Sequence, residues 1–318
     1  MTFSVRPGQT RAEVVEMVFP EHTNARGSLY GGRMMSWIVT AGTLAASRLA
    51  RGLVVLGSMD ELDFLQPVRA GEIVQLAATV LLVSRSSMEV EVTVHAEDPA
   101  SGMRRPATRA FLAFVAVEAG GRPRPVGVQV VAADPEEERL QAEARWRRAR
   151  RLVRIAQRRQ PEAEEPPPRH HLETCRVVFP EDAITGNLMF AGRLLMDLDE
   201  VASVVAIRYA RGPVVTASVD ALDFLSPVRV GQIVHYRAAL NYVGRSSMEV
   251  GVRVLSEDPF SGREQHTCST FVTLVHTDAA GRPQPLPPYE PGSEAERRRF
   301  QQAEQRRRLR QERLRSLR

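Results

Sequence analysis

The feature that most constrains the fold of this chain is an internal repeat. The segment MDELDFLQPVRAGEIV at residues 59–74 returns as VDALDFLSPVRVGQIV at residues 219–234, so residue 59 corresponds to residue 219, an offset of 160. RSSMEV occurs at residues 85–90 and again, at the same offset, at residues 245–250. A repeat of this length predicts a duplicated domain and not a short solenoid unit. Two copies of one fold can pair with pseudo-twofold symmetry, as in a homodimer.

The length of 318 residues agrees with two domains. We place the first copy, with the charged helix that follows it, at residues 10–157, and the second copy with its Arg-rich helix at residues 170–318. Residues 158–169 between them, which include QPEAEEPPP, are predicted to be a linker rich in Pro and Glu. Asp134-Pro135-Glu136 is typical of a helix start, with an N-cap acid and a proline in the first turn.

Each copy has the pattern of an α+β domain. In the second copy a short strand is predicted at 176–179, and small and apolar residues then predict a helix over 193–208. Runs rich in β-branched residues follow and predict four antiparallel strands, at 214–219, 233–242, 247–256 and 267–276. A sheet wrapped around the one central helix is the economical way to bury both.

Composition excludes several classes of protein. The chain has two cysteines, which is no disulfide framework and favours a reducing cytoplasm. No apolar run approaches the roughly 20 residues of a membrane span. Neither a metal-ligand spacing nor a P-loop, a dinucleotide fingerprint or a GxSxG elbow is present. We therefore expect no metal and no cofactor.

The net charge of +5 is the difference between 43 basic residues, all of them arginine, and 38 acidic residues. Much of the excess lies at residues 145–159 and 297–318, where Glu and Gln interrupt the arginines in the second segment. This mixture favours a solvated or inter-subunit helix over a nucleic-acid contact, so we expect no nucleic acid partner.

Several motifs together resemble one family: TNARGSLYGG (23–32), LMDLDEVA (195–202), VTASVDALDFLSPVRVG (215–231) and both RSSMEV strands. They are similar to the tandem-hotdog acyl-CoA thioesterases of the cytosolic brain type, and to the bacterial short-chain acyl-CoA thioesterases with a single domain. The resemblance implies two tandem hotdog domains forming an intramolecular double hotdog. It also implies hydrolysis of fatty acyl-CoA to fatty acid and CoA, and a homotrimer with six domains.

Differences between the copies select candidate catalytic residues. The offset pairs Asn24 with Ile184, and Val39 with Asp199. Asp199 interrupts an apolar helix stripe, where a carboxylate is costly and its pKa rises, which suits a base or a nucleophile. In the family the loop Asn and the helix acid come from different domains. The resemblance thus implies one composite site containing Asn24 and Asp199, and an inactive second site containing Ile184 and Val39.

Other residues complete the predicted site. Free amides of Gly31 and Gly32, at a helix N-terminus, could stabilise the oxyanion of a thioester. Residues at the family's CoA-contacting position occur in both copies, and the sequence does not say which copy serves the site: they are Arg85, Ser86, Ser87, Arg245, Ser246 and Ser247.

Structural explanations remain open for each candidate. A loop Asn is usual in turns, a helix Asp is usually solvated or paired, a Gly-Gly pair serves tight turns or close packing, and strand-edge arginines form ion pairs. Asp60, Asp63, Asp220 and Asp223 recur in both copies and are interpreted as structural.

Two other functions compete with hydrolysis. A hotdog dehydratase or hydratase would need a histidine together with an acid on the helix and loop, and neither copy offers a histidine there. The alternative is a catalytically silent hotdog protein that binds CoA or a nucleotide as a regulator.

Overall fold

The computed structural model describes residues 3–24, 26–157, 167–185, 187–278 and 280–316. The helices are α1 (Gly31–Ala50), α2 (Pro135–Ala156), α3 (Ala191–Ala210) and α4 (Glu294–Ser316). The first copy contributes strands β1 (Phe3–Val5), β2 (Ala12–Met17), β3 (Val54–Met59), β4 (Leu62–Asp63), β5 (Ile73–Val83), β6 (Ser87–Glu97), β7 (Arg104–Ala116) and β8 (Val128–Val130). The second contributes β9 (His171–Val177), β10 (Ala183–Thr185), β11 (Leu188–Met189), β12 (Val214–Val219), β13 (Leu222–Asp223), β14 (Ile233–Val243), β15 (Ser247–Asp258) and β16 (Arg263–His276).

Each copy wraps an antiparallel sheet around its own central helix. One six-stranded sheet has the order β13-β3-β7-β6-β5-β2 and the other β4-β12-β16-β15-β14-β9. α1 packs on the first sheet, α3 packs on the second, and the two helices pack against each other. This arrangement confirms the predicted α+β fold of two tandem hotdog domains.

The two copies exchange their shortest strands. β4 of the first copy pairs with β12 of the second, and β13 of the second pairs with β3 of the first. Bulges interrupt β3 and β12 at the same place, between Leu56 and Ser58 and between Thr216 and Ser218. The bulged Ala217 carbonyl accepts the amide of Phe64 at 2.9 Å, so each sheet edge is completed by the other copy.

The prediction of a short strand at 176–179 was wrong in position. β9 runs from His171 to Val177 because it is the edge strand of its sheet, paired along β14 from Ile233 to Ala239. Ahead of residue 10, β1 pairs with β8. Most of the predicted linker, residues 158–166, lies outside the described residues.

The two Arg-rich helices lie on the outer faces of the sheets, α2 beside β5 and α4 beside β14. Asp134 caps α2 by accepting the amide of Glu137 at 3.0 Å, as predicted. Both helices also reach the opposite copy: Arg154 of α2 donates to Asp223 at 2.8 Å, and Arg313 of α4 donates to Asp63 at 2.8 Å.

These contacts confirm that the recurring acids are structural. Arg147 lies 3.4 Å from Asp60, and Arg310 lies 2.9 Å from Asp220 and also pairs with buried Glu249. Each helix therefore forms ion pairs with both copies, and the acids of these pairs are largely buried. Among the described helices, none is both long and apolar enough to cross a membrane.

Candidate active site

The centre of the candidate site is Asp199, on α3. Its side chain is buried, at 1% exposure, because this face of α3 packs against α1 and the sheet of its own copy. Burial raises the pKa of Asp199, and the charge of the neighbouring Glu200 adds to that rise, while two hydrogen bonds oppose it. A buried carboxylate with a raised pKa is a stronger base than an exposed one.

Both oxygens of Asp199 are held, each by a different copy. The Gly32 amide of α1 donates to Oδ2 at 2.8 Å, and the Thr216 hydroxyl of β12 donates to Oδ1 at 2.7 Å. The N-terminus of the first copy's helix thus meets the acid of the second copy. Thr216, which sequence reasoning missed, fixes the carboxylate from the sheet side.

Gly31 and Gly32 allow this close approach. A Cβ on Gly31 would lie 2.8 Å from Cβ of Thr216, and one on Gly32 would lie 2.9 Å from Cα of Met196. Both distances are shorter than real Cβ contacts, so larger residues would push α1 away from α3 and β12. Close packing is therefore the structural reason for this pair.

The two glycine amides have different environments. The Gly32 amide is bound to Asp199, so it does not have the free state that the oxyanion prediction assumed. The Gly31 amide, the first of α1, has no hydrogen-bond acceptor among the described residues. It is an N-terminal helix amide next to the buried acid, where the helix dipole favours negative charge.

Asn24 lies in the loop that leads to α1. Its Oδ1 accepts the amides of Arg26 at 2.9 Å and Ser28 at 3.2 Å, which is the turn chemistry left open by the sequence. Within the described ranges its Nδ2 has no hydrogen-bond partner, and Asn24 and Asp199 are not hydrogen-bonded to each other. The side chain therefore orders the loop while keeping two N–H donors for a ligand.

Tyr30 is a second residue that sequence reasoning missed. It precedes α1, is 41% exposed, and its amide donates to the His22 carbonyl at 3.1 Å. Burial, then the charges of Glu200 and Asp199, raise the pKa of its hydroxyl, so Tyr30 stays neutral beside the acid. Comparison of the copies could have found it, because Phe190 replaces it at the equivalent position.

The two Arg-Ser-Ser segments form equivalent hairpin turns, one in each sheet. Ser247 pairs with Val275, and Val275 pairs with Val215 beside Thr216. With strands about 4.8 Å apart, Ser247 lies roughly 10 Å from this position. Arg245, Ser246 and Ser247 thus share a sheet end with Thr216.

The first-copy segment lies instead near the pseudo-symmetric counterpart of the Asp199 position. Ser87 pairs with Val115, and Val115 pairs with Val55 beside Leu56, the equivalent of Thr216. Arg85, Ser86 and Ser87 therefore share a sheet end with Leu56.

The pseudo-symmetric position lacks the polar side chains that surround Asp199. Val39 stands in place of Asp199, and Leu56 in place of Thr216. Together with Ile184 they line an apolar cavity of about 200 Å³. The Asp199 position and its pseudo-symmetric counterpart thus have equivalent backbone elements but different side chains.

Comparison with known proteins identifies the family. A family model described as "Thioesterase superfamily" matches residues 26–103 and 186–260. Protein VdlD of Helicobacter pylori is 42% identical over 134 residues, which cover 42% of this chain and 76% of that protein. The chain belongs to the thioesterase superfamily.

Two further likenesses extend over this thioesterase-superfamily chain. The human cytosolic acyl coenzyme A thioester hydrolase is 27% identical over 301 residues, which cover 89% of this chain and 79% of the relative. A solved acyl-CoA hydrolase from Staphylococcus aureus, in complex with butyryl coenzyme A and coenzyme A, is 31% identical with a TM-score of 0.45. It covers 48% of this chain and 93% of its own.

Proposed function

We propose that this protein hydrolyses fatty acyl-CoA to a free fatty acid and CoA at one composite site between its two hotdog domains. The observation that carries the proposal is Asp199, buried and held between the Gly32 amide of one copy and the Thr216 hydroxyl of the other. The names of the mammalian relatives support the choice of an acyl-CoA thioester as substrate.

The reaction uses groups already in place. Asp199 takes a proton from a water molecule, which attacks the thioester carbonyl. The Gly31 amide stabilises the oxyanion, and the Asn24 Nδ2 donors orient the water or the thioester. The C–S bond then breaks, and the proton held by Asp199 passes to the departing CoA sulfur. Water and acyl-CoA become a carboxylic acid and free CoA.

The CoA phosphates are assigned to the second-copy turn. Arg245, Ser246 and Ser247 share a sheet end with Thr216, whereas the first-copy segment lies by the inactive position. Arginine suits phosphate because its guanidinium offers paired donors. We further propose a homotrimer, from the family resemblance, and a cytoplasmic location, which the cytosolic names of the relatives support.

The first test is release of free thiol from acyl-CoAs of graded chain length. Wild type should turn over at least one member of the series. Asp98→Asn is the control and should match wild type, because residue 98 lies on an exposed turn and the asparagine keeps an Oδ1 acceptor for the Ala100 amide. Binding of CoA without turnover of any member would contradict the proposal and favour the silent regulator.

A second experiment separates general base from nucleophile. If Asp199 attacks the carbonyl directly, an acyl-enzyme anhydride forms and water then opens it. If Asp199 is a base, a single turnover in ¹⁸O-water should label only the fatty acid, and mass spectrometry of the quenched enzyme should show no acyl adduct. The second readout is needed because water that opens the anhydride at its acyl carbon also labels the fatty acid. Label in the Asp199 carboxylate, read by peptide mass spectrometry, would instead identify it as the nucleophile.

A further inference from the structure

The pseudo-symmetric site keeps its cavity while losing every polar side chain of the active one. Asp199, Thr216, Asn24 and Tyr30 correspond to Val39, Leu56, Ile184 and Phe190. Each replacement removes the hydrogen-bonding group and leaves hydrocarbon. The four apolar residues line the cavity of about 200 Å³ together with Leu194 and Phe224.

An apolar cavity holds water poorly and gains free energy when a hydrocarbon enters it. Val39 is fully buried and Leu194 is 2% exposed, whereas Ile184 is 38% exposed, so a buried and largely apolar wall lies behind an exposed edge at Ile184. This largely apolar lining fits a flexible aliphatic chain.

An adjoining cavity brings a cationic side chain close to the exposed edge of this one. A second cavity of about 480 Å³ shares Thr43, Ile184 and Phe190 with the first and is also lined by Arg33. Among the described residues the Arg33 guanidinium has no ion pair or hydrogen bond. Arg193 and Asp182 also line the second cavity. They are paired with each other, because the Arg193 guanidinium lies 3.5 Å from the Asp182 carboxylate.

The remaining charged group that lines the second cavity is Glu181, which is exposed. Its negative charge lowers the attraction for an anion, but within the described residues Glu181 forms no ion pair with Arg33. A carboxylate on an aliphatic chain therefore meets the Arg33 guanidinium in the adjoining cavity and a largely apolar wall beyond Ile184.

We propose that the pseudo-symmetric cavity is a non-hydrolytic binding site for a free fatty acid, with its chain against Val39 and Leu56 and its carboxylate toward Arg33. The proposed thioesterase activity guides only the choice of ligand. The absence of Asp199 and Thr216 equivalents explains why a chain bound here is not processed.

Photolabelling with a fatty acid that carries a diazirine in its chain tests this site directly. After illumination, mass spectrometry should find label on residues 184–194 and 224–228, besides any label on the active-site peptides at 24–34 and 214–217. Excess CoA should leave the label at 184–194 and 224–228 in place, because the proposed ligand is the free acid. Label confined to the active-site peptides, or displacement from both sites by CoA, would overturn the proposal.

Variants sharpen the test. Ile184→Asp puts a carboxylate at the exposed edge of the cavity and should lower second-site labelling about tenfold, which is about 1.4 kcal/mol. Ile207→Asp makes the same change on the exposed outer part of α3 and should leave labelling unchanged. Arg33→Gln should weaken retention of the acid by a similar factor. Unchanged labelling in Ile184→Asp would contradict the assignment, and the readout does not depend on thioester turnover.

Discussion

Removal of the Thr216 hydroxyl should change how the activity depends on pH. Thr216→Val keeps the branched shape that packs against Gly31 but removes the donor that lies 2.7 Å from Oδ1 of Asp199. This hydrogen bond stabilises the charged form and lowers the pKa of Asp199, against the larger effect of burial. Without it the carboxylate forms only at higher pH, so the acidic limb of the pH profile should move upward.

The size of the effect follows from the hydrogen bond itself. A hydrogen bond to a charged group contributes about 1.5–3 kcal/mol, which is roughly 10- to 150-fold in an equilibrium. On the acidic limb the rate is proportional to the ionised fraction of Asp199, so kcat/KM there should fall by about that factor. On the plateau at higher pH, where the carboxylate is ionised in both proteins, the loss should be smaller.

The assay is thiol release measured across the pH range for wild type, Thr216→Val and Thr216→Ser. The serine variant keeps the hydroxyl and should restore most of the wild-type limb, which distinguishes a positioning role from a general effect of substitution. A Thr216→Val profile that coincides with wild type, in both limb and plateau, would refute this role for Thr216.

Three further perturbations follow from the contacts. Gly32→Ala brings a Cβ within 2.9 Å of the α3 backbone, so it should destabilise the protein by about 1–3 kcal/mol and lower kcat, measured by thermal unfolding and thiol release. Arg313→Gln leaves the buried acid Asp63 without its bidentate partner and should cost about 1–3 kcal/mol in urea unfolding; Arg308→Gln, whose side chain is 70% exposed, should cost little. Asp199→Asn should stabilise the fold at neutral pH, because burial raises the pKa of this acid and the ionised form is the unfavourable one. Stability from a neutral Asp199 is present at low pH and is lost as pH rises through its folded pKa, so the advantage of Asp199→Asn in urea should shrink on acidification.

The repeat made the fold predictable. Each helix and each long strand of the second copy falls near its predicted place, because apolar and β-branched runs mark them. The exchange of β4 and β13 between sheets was not predictable, since a two-residue strand carries no periodic signal. The edge strand β9 was placed too late because most of its side chains are exposed, so the strand has no clear alternation of apolar and polar residues.

The candidate site was predictable only in part. Asp199 stood out because it is an acid in a helix stripe that is apolar throughout in the first copy. Thr216 and Tyr30 carried the same kind of signal, as polar residues opposite Leu56 and Phe190, but only their proximity to Asp199 in three dimensions gives those differences meaning. The bond from Gly32 depends on how two helices cross, which no local pattern specifies.

The central claim is that one site, built from both copies, performs the reaction. The most direct test is the rate of thiol release by Asp199→Asn, Asn24→Ala and Ile184→Ala, each compared with wild type on the best acyl-CoA. Asp199→Asn can keep both hydrogen bonds, with Oδ1 accepting from Gly32 and Nδ2 donating to Thr216, so the fold should persist. We predict a loss of about 100-fold or more for the first two variants, and near wild-type turnover for Ile184→Ala. Substantial activity in Asp199→Asn, or an equal loss in Ile184→Ala, would contradict a single composite site.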